Sequence, residues 1–142
     1  MFIEENDLID VAIFYRKTGK NYIAYGEKDF NEAVKDESKS KFKKLVVSLR
    51  PMTWGLYNDL QEHSSVFDHN EGKNKFNFRR YKEEKLKKLI VKWDATNTDS
   101  NGNVVPIPVN EKNILNLSPS IAENIIAQYD EISVMDEEEE KK

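Results

Sequence analysis

The chain has 142 residues, the length of one ordinary domain, which typically buries roughly 70% of the surface that its unfolded form exposes. Hydrophobic residues make up 38% of it and charged residues 34%, so we expect a folded core under a heavily charged surface. The lack of cysteine excludes a disulfide framework, a thiolate zinc site and a cysteine nucleophile, and the net charge of −4 argues against constitutive nucleic-acid binding.

The first predicted elements are two strands. From residue 8 to residue 15, apolar side chains alternate with polar ones, which is the period of a strand with one buried face. Turn-forming residues at 17–21 and a second apolar run at 22–25 predict that this strand folds back as a β-hairpin.

A third strand and a short helix are predicted next. We interpret the polar stretch 29–41 as a loop with one helical turn. Alternation returns over residues 42–49 and predicts a strand that Pro51 ends. The hydroxyl of Thr53 can accept a hydrogen bond from a free backbone N–H of a first helical turn, which predicts a helix that ends by residues 64–65.

The clearest helical pattern follows a loop at residues 68–74. Asn77 can cap a helix from Phe78 to about Asp94, in which apolar residues recur at three- and four-residue spacing. These residues are Leu86, Leu89, Ile90 and Trp93. The opposite face is basic, and its candidate polyanion-binding residues are Arg79, Arg80, Lys82, Lys87 and Lys88.

The C-terminal part begins with turn and extended residues over 95–109 and a short helical turn from Asn110. Ser118-Pro119 marks a helix start, because it combines an N-cap residue with proline at the first helical position. This helix should end near Ile132, and residues 133–142, which are acidic, should form a disordered tail.

The predicted fold class is therefore α+β. An N-terminal β-hairpin and a third strand precede a mainly helical C-terminal part with about three helices, all in one domain of residues 1–132. The acidic N-terminus and the lack of any apolar run of roughly 18–20 residues predict neither a cleaved signal nor a membrane span. We expect a cytoplasmic protein.

Signatures of catalysis and metal binding are weak. The only histidines are His63 and His69, and no third ligand accompanies them. Residues 97–102 have the oxygen spacing of a calcium loop, but Pro108 stands where the last carboxylate is needed, so a plain Asx/Gly turn is expected. No glycine-rich phosphate loop is present. We predict no enzyme activity, no cofactor and no metal.

Aromatic residues offer a second kind of candidate site. Trp54, Trp93, Phe76 and Phe78 could form a stacking platform, although core packing is the favoured interpretation because two of them lie on predicted helical stripes. The basic helix at residues 79–92 could contact phosphates, but its interspersed glutamates favour a solvated helix face.

A family resemblance rests on the order of features in the second half of the chain. A basic helix ending at Trp93-Asp94 is followed by the turn 99–102, the segment 105–110 and the Ser118-Pro119 helix. Upstream, residues 49–56 form a strand-to-helix junction. Together, over residues 42–129, these features resemble the small tail assembly chaperones of long-tailed bacteriophages.

The resemblance implies a non-enzymatic protein that binds the tape-measure protein or tail-tube subunits in the host cytoplasm. Such a chaperone keeps apolar segments from aggregating until the tail polymerises, and self-association is left open. Residues 1–40 have no counterpart in the family pattern.

A chaperone of this kind needs an exposed apolar surface with a charged periphery. The partner-binding candidates, each of which is equally a core candidate, are Trp54, Tyr57, Leu60, Trp93, Ile125 and Tyr129. Two alternatives remain open: a nucleic-acid-binding accessory protein that uses the basic helix 79–92, and a minor structural virion protein.

Overall fold

The computed structural model describes the backbone of residues 1–141 and the side chains of residues 1–133. The α+β fold class is confirmed. The elements, in chain order, are β1 (Ile9–Thr18), β2 (Asn21–Gly26), α1 (Glu27–Ala33), α2 (Asp36–Lys39), β3 (Lys43–Leu49), α3 (Trp54–His63), β4 (Ser65–Asp68), β5 (Lys73–Phe76), α4 (Phe78–Leu89), β6 (Ile90–Trp93), β7 (Thr96–Thr98), β8 (Val104–Pro106), α5 (Glu111–Leu115) and α6 (Pro119–Lys141).

Four strands form an antiparallel central sheet in the order β2-β1-β3-β6. The predicted hairpin is β1–β2, in which Thr18 lies opposite Asn21. Gly19, with a φ of 64°, supplies the positive dihedral that a two-residue hairpin turn requires. The predicted third strand, β3, pairs with the other edge of β1. The three strands expected from the alternating pattern are therefore confirmed.

The core lies between one face of this sheet and the helices α4 and α6. Because side chains alternate across a strand, the odd-numbered residues of β1 and β3 all point to this face. Buried residues of the cluster come from the sheet (Val11, Ile13, Leu45, Val47, Leu49 and Ile90), from α4 and α5 (Leu86, Leu89 and Ile114) and from α6 (Ile121, Ile125 and Tyr129). The helix α6 packs across β1 and β2.

Polar side chains along α6 also bind the sheet through its backbone. Three hydrogen bonds form what we call the edge row: Ser120 Oγ to the Tyr22 carbonyl at 2.8 Å, Asn124 Nδ2 to the Ala24 carbonyl at 3.0 Å, and Gln128 Nε2 to the Ala12 carbonyl at 2.9 Å. The donors are four residues apart and so share one side of the helix. The edge row satisfies carbonyls that an uncovered sheet edge would leave free.

The opposite face of the sheet is partly covered by α1 and α2. The ring of Phe30, which is 6% exposed, stacks on Phe14 with 4.2 Å between ring centroids and meets Phe42 at 5.2 Å. The prediction of a loop with one helical turn at residues 29–41 is wrong, since two short helices are present. Their stability depends on Phe30 packing against a distant strand, which a local pattern does not reveal.

The predicted helix from Phe78 to Asp94 is too long. Asn77 caps it as expected, because its Oδ1 accepts a hydrogen bond from the Arg80 N–H at 3.0 Å. The helix α4 ends at Leu89, however, and Ile90–Trp93 form the strand β6 on the free edge of β3. Backbone hydrogen bonds to β3, together with the β-branched Ile90 and Val91, favour the strand over a continued helix.

The remaining helix starts are confirmed, and one helix end is wrong. Thr53 Oγ1 accepts from the Leu56 N–H at 3.2 Å, and Asn110 Oδ1 accepts from the Asn113 N–H at 2.8 Å. The helix α6 begins at Pro119 but continues past Ile132 to Lys141. The disorder expected for residues 133–142 stays a prediction, because the side chains from residue 134 onward and the whole of Lys142 lie outside the described residues.

Two small hairpins occupy segments that were predicted as loops or turns. One is β4–β5, which spans residues 65–76, and the other is β7–β8, which spans residues 96–106. Their strands are short and largely polar, so their sequences lack the apolar alternation that identifies a half-buried strand.

The edge row predicts a specific effect at Gln128. Gln128→Met keeps the length of the side chain but removes the donor to the Ala12 carbonyl, so we expect the free energy of unfolding to fall by about 1–2 kcal/mol. Gln128→Glu should cost more at neutral pH, because a carboxylate oxygen would then face a carbonyl oxygen. Urea denaturation measures both changes.

The matched control is Glu131→Met, at an exposed position of the same helix, which should change stability by less than about 0.5 kcal/mol. If both Gln128 variants were as stable as this control, the edge row would have no energetic role.

Candidate functional site

The six partner-binding candidates fall into an exposed and a buried set. Their exposed fractions are 76% for Trp54 and 45% for Tyr57, against 1% for Leu60, 0% for Ile125 and 2% for Tyr129, while Trp93 is half-buried. Leu60, Ile125 and Tyr129 are thus interior residues, which corrects their selection as partner-binding residues. Only Trp54 and Tyr57 remain as surface-exposed candidates.

Trp54 and Tyr57 form a stacked pair at the start of α3. Their ring centroids are 5.7 Å apart and their planes differ by 14°. The three-residue spacing places both rings on one side of the first helical turn, and the Thr53 cap fixes the start of that turn. Leu60 is buried and anchors α3, which packs against α4. A rigid base therefore presents two aromatic rings to solvent.

The same helical turn lines a small pocket of about 280 Å³. Pro51 and Leu56 supply its apolar wall, and Glu5, Arg50 and Lys88 bring charges to it. Neither ring lines this pocket, which Thr53 and Leu56 of the same turn border. We call the Trp54–Tyr57 pair together with this neighbouring pocket the α3 surface. It combines exposed aromatic area with a cleft that an apolar side chain of a partner could enter, bordered by charges of both signs.

Trp93 has a structural role in the fold. It lies opposite Val47 in the sheet, and its indole N–H donates to the Ile107 carbonyl at 2.6 Å. The Ile107 N–H in turn donates to the Ala95 carbonyl at 2.9 Å. These bonds hold the segment after β8 against the end of β6, so Trp93 fixes the β7–β8 hairpin and contributes little to an open surface.

The predicted basic face of α4 is divided by ion pairs with neighbouring acids. Lys82 pairs with Glu123 at 2.9 Å, and Lys87 pairs with Glu111 at 3.0 Å. The hydrogen bond that Lys87 donates to the Glu111 carboxylate raises the pKa of Lys87 above its ordinary value. Arg79 and Arg80 are exposed, whereas Lys88 lines the pocket of the α3 surface. The five cations therefore do not form one continuous phosphate-binding face.

Lys85 is a buried cation that the sequence analysis did not identify. It is 5% exposed, forms an ion pair with Asp130 of α6, and lies 5.3 Å from the centre of the Tyr81 ring and 5.6 Å from that of Tyr129. Cation–π attraction and the carboxylate together compensate for its lost hydration. The four-residue spacing of Tyr81 and Lys85 is the sequence signal that could have indicated this contact.

Burial raises the pKa of Tyr129 to about 12, and the nearby Asp130 and Tyr81 add to the effect. The hydroxyl group of Tyr129 donates a hydrogen bond to the Arg50 carbonyl at 3.0 Å. A phenolate at this position would lose both its hydration and this hydrogen bond, so the protein favours the neutral phenol.

Phe76 and Phe78 are more exposed than predicted. They are 44% and 69% exposed, so the interpretation of these two residues as core is wrong. Their ring centroids are 5.4 Å apart, and each also contacts the ring of Tyr81. The three rings form a second aromatic cluster, distinct from the α3 surface.

The calcium-like segment forms an ordinary turn. Asp99 Oδ1 accepts hydrogen bonds from the N–H groups of Asn101 and Asn103, each at 2.9 Å, and Gly102 has a φ of 81°. The predicted Asx/Gly turn is confirmed. Among the described side chains, there is no group of three or more histidines, cysteines or acids placed to hold a metal ion. Within residues 1–141, no helix has both the length and the apolar composition to cross a membrane.

Tyr129 gives a pH-dependent prediction. Its pKa is raised in the folded protein, so its contribution to stability should be complete below pH 10 and should be lost as the pH rises towards about 12. Tyr129→Phe should cost about 1 kcal/mol near neutral pH through the lost hydrogen bond, and should remove this alkaline loss. Chemical denaturation of both proteins across this pH range measures the difference.

The exposed Tyr57→Phe is the matched control for the loss of a phenol hydroxyl group and should change stability near neutral pH by less than about 0.5 kcal/mol. An alkaline stability curve for Tyr129→Phe that runs parallel to that of the unmodified protein would contradict the assignment to Tyr129.

Comparisons of the chain with protein-family models, curated proteins and solved structures give no match. The resemblance to tail assembly chaperones is therefore supported only by the order of features along residues 42–129. One of those features is altered by the structure, because Trp93 ends the strand β6 and not a helix. The functional interpretation depends on the surfaces described above.

Proposed function

We propose that this protein is a non-enzymatic, protein-binding assembly factor, specifically a phage tail assembly chaperone that shields apolar segments of a tape-measure protein or tail-tube subunits. The single observation that carries the proposal is the exposed, stacked Trp54–Tyr57 pair on a helix that the buried Leu60 anchors. Large aromatic side chains exposed together on a rigid base are typical of protein-binding sites.

The size of this surface suits transient binding. The exposed parts of the two rings amount to roughly 200 Å² of mostly apolar area, so covering them would contribute about 5 kcal/mol before the costs of association. A client held by so small a surface could be released when its own polymerisation buries the same segment. The charges at Arg50, Lys88 and Glu5 would keep the surroundings hydrated.

The resemblance adds support at the same place in the chain. Residues 49–56, which resemble the family's strand-to-helix junction, include the end of β3 and the first turn of α3. The junction that resembles the family's therefore leads directly into the exposed stack. By this proposal the protein acts in the host cytoplasm before the particle is complete.

Co-expression with a long helical fragment of a tape-measure protein tests the proposal. We expect the fragment to be soluble with the unmodified chain, and to precipitate when expressed alone or with the double variant Trp54→Ala/Tyr57→Ala, which lacks the stacked rings. Both residues are exposed, so the free energy of unfolding of the variant should lie within about 1 kcal/mol of that of the unmodified protein. Sedimentation followed by gel analysis measures the soluble fraction.

The matched control is Phe78→Ala, which removes an exposed aromatic ring from the second cluster and should preserve the rescue. Precipitation of the fragment with the unmodified protein would refute the chaperone function. Stable incorporation of the protein into purified particles would instead favour the structural virion alternative.

A further inference from the structure

The ten residues from Lys73 to Lys82 combine five cations and three aromatic rings with no acid. They include the whole of β5 and the first turn of α4. This segment, which we call the basic-aromatic patch, contains the second aromatic cluster described above. The cations are Lys73, Lys75, Arg79, Arg80 and Lys82, and the rings are Phe76, Phe78 and Tyr81.

The rings of the patch are accessible from solvent. Phe78 is 69% exposed, although it contacts Phe76 at 5.4 Å and Tyr81 at 6.3 Å between ring centroids. The ring planes of Phe76 and Phe78 are nearly perpendicular, at 88°. An arrangement of this kind holds the Phe78 ring in place while leaving most of its surface open for stacking by a planar group.

The cations differ in how strongly the protein neutralises them. Arg79 and Arg80 are exposed on the first turn of α4. Lys75 pairs with Glu71 at 2.9 Å and Lys82 pairs with Glu123 at 2.9 Å, but these lysine side chains are 47% and 42% exposed. Exposed ion pairs contribute little energy, so phosphate groups could compete for these lysines.

The acids near the patch limit its extent. Glu83 and Glu84 follow immediately on α4 and line a polar groove with Arg79, Arg80 and Glu111. A polyanion would be repelled from that side. Asp68 and Glu71 also pair with Lys73 and Lys75, so a polyanion would contact Arg79 and Arg80 on the first turn of α4 and would compete with these acids for the lysines of β5. The patch is thus narrower than the basic helix 79–92 considered from the sequence, and it extends into the β4–β5 hairpin.

We propose that the basic-aromatic patch binds single-stranded nucleic acid. Arg79 and Arg80 contact backbone phosphates, and an unpaired base stacks on Phe78. Single strands suit this surface because their bases are free to stack, whereas a duplex keeps its bases paired inside. A purely acidic peptide such as polyglutamate would use the cations but would leave Phe78 exposed, so the observed interleaving of rings and charges favours the nucleic acid.

This site is separate from the α3 surface. The Asn77 N–H donates to the Ser64 carbonyl at 2.8 Å, which joins the end of α3 to the start of α4. At the other end of these two helices, Lys88 of α4 and Leu56 of α3 line the same pocket. The two helices therefore run in opposite directions, and their exposed aromatic groups lie near opposite ends.

Fluorescence anisotropy with labelled oligo-dT and oligo-U of about 12 nucleotides, and the full chain, tests the proposal. We expect saturable binding that weakens with rising salt. Phe78→Ala should weaken binding at least about fivefold at fixed salt, through the lost stacking. Arg79→Gln/Arg80→Gln should reduce the slope of log affinity against log salt by about 1.4, because two phosphate contacts are lost.

Two matched controls distinguish the patch from general charge and from the α3 surface. Lys17→Gln/Lys20→Gln removes two exposed cations at the β1–β2 turn, and Trp54→Ala removes an exposed ring of the α3 surface. Both should bind the oligonucleotides within about twofold of the unmodified chain. If Trp54→Ala binds the oligonucleotides normally while Trp54→Ala/Tyr57→Ala fails to keep the tape-measure fragment soluble, nucleic-acid binding and client binding use different surfaces.

Several outcomes would overturn the proposal. These are no binding at physiological ionic strength, an unchanged affinity of Phe78→Ala, and equally tight binding of polyglutamate with the same dependence on Phe78. The last result would identify an acidic protein segment as the ligand. Circular dichroism of each variant shows whether a loss of binding reflects a loss of fold.

Discussion

The docking of α6 across the edge of the sheet is the interaction on which the rest of this structure depends. A sheet of four antiparallel strands exposes one apolar face, and α6 covers it with Ile121, Ile125 and Tyr129. Hydrophobic burial alone would allow the helix to slide along the sheet, since it is not directional. The edge row restricts such sliding, because each of its donors must meet a particular backbone carbonyl. Gly26 belongs to the same constraint, since a Cβ there would lie 3.1 Å from the Gln128 side chain.

This docking also fixes the place from which α3 starts. Tyr129 donates to the Arg50 carbonyl at 3.0 Å, and the Arg50 N–H donates to the Leu89 carbonyl at 2.8 Å. Arg50 is therefore held by α6 on one side and by the end of α4 on the other. The chain then passes through Pro51 to the Thr53 cap, so the orientation of the Trp54–Tyr57 pair is determined by buried contacts that include neither ring. Substitution of either ring therefore leaves these buried contacts in place.

The sequence predicted an element correctly where its local pattern fitted only one kind of secondary structure. Strict alternation identified the first three strands, and cap residues such as Thr53 and Asn77 marked helix starts, because their hydrogen bonds are made within a few residues. The switch from α4 to β6 could not be read, since Ile90 and Trp93 fit a helical stripe as well as a short strand. The free edge of β3 decides between them, and that edge exists only in the folded protein.

The candidate sites were hard to predict for a similar reason, because the type of a residue does not show whether its side chain is exposed. Trp54 and Tyr129 both stand on apolar helical stripes, yet one is 76% exposed and the other 2%. The difference arises because Tyr129 lies between α6 and the sheet, whereas α3 packs against α4 with Leu60, and not Trp54, as its buried residue. Aromatic spacing alone therefore could not separate anchor residues from surface residues.

The packing of α6 beside α4 also determines which cations of α4 are paired. The acids of α6 lie beside α4, so Lys82 and Lys85 are used in contacts with Glu123 and Asp130. A helix with a largely basic polar face in the sequence therefore uses two of its lysines in contacts with an acidic neighbour. Arg79 and Arg80 at its N-terminal turn are exposed and lie away from these contacts, whereas the lysines of β5 pair with Asp68 and Glu71. The exposed rings of Phe76 and Phe78 lie in the same segment as these arginines. Aromatic surface and positive charge therefore occur together at this end of α4.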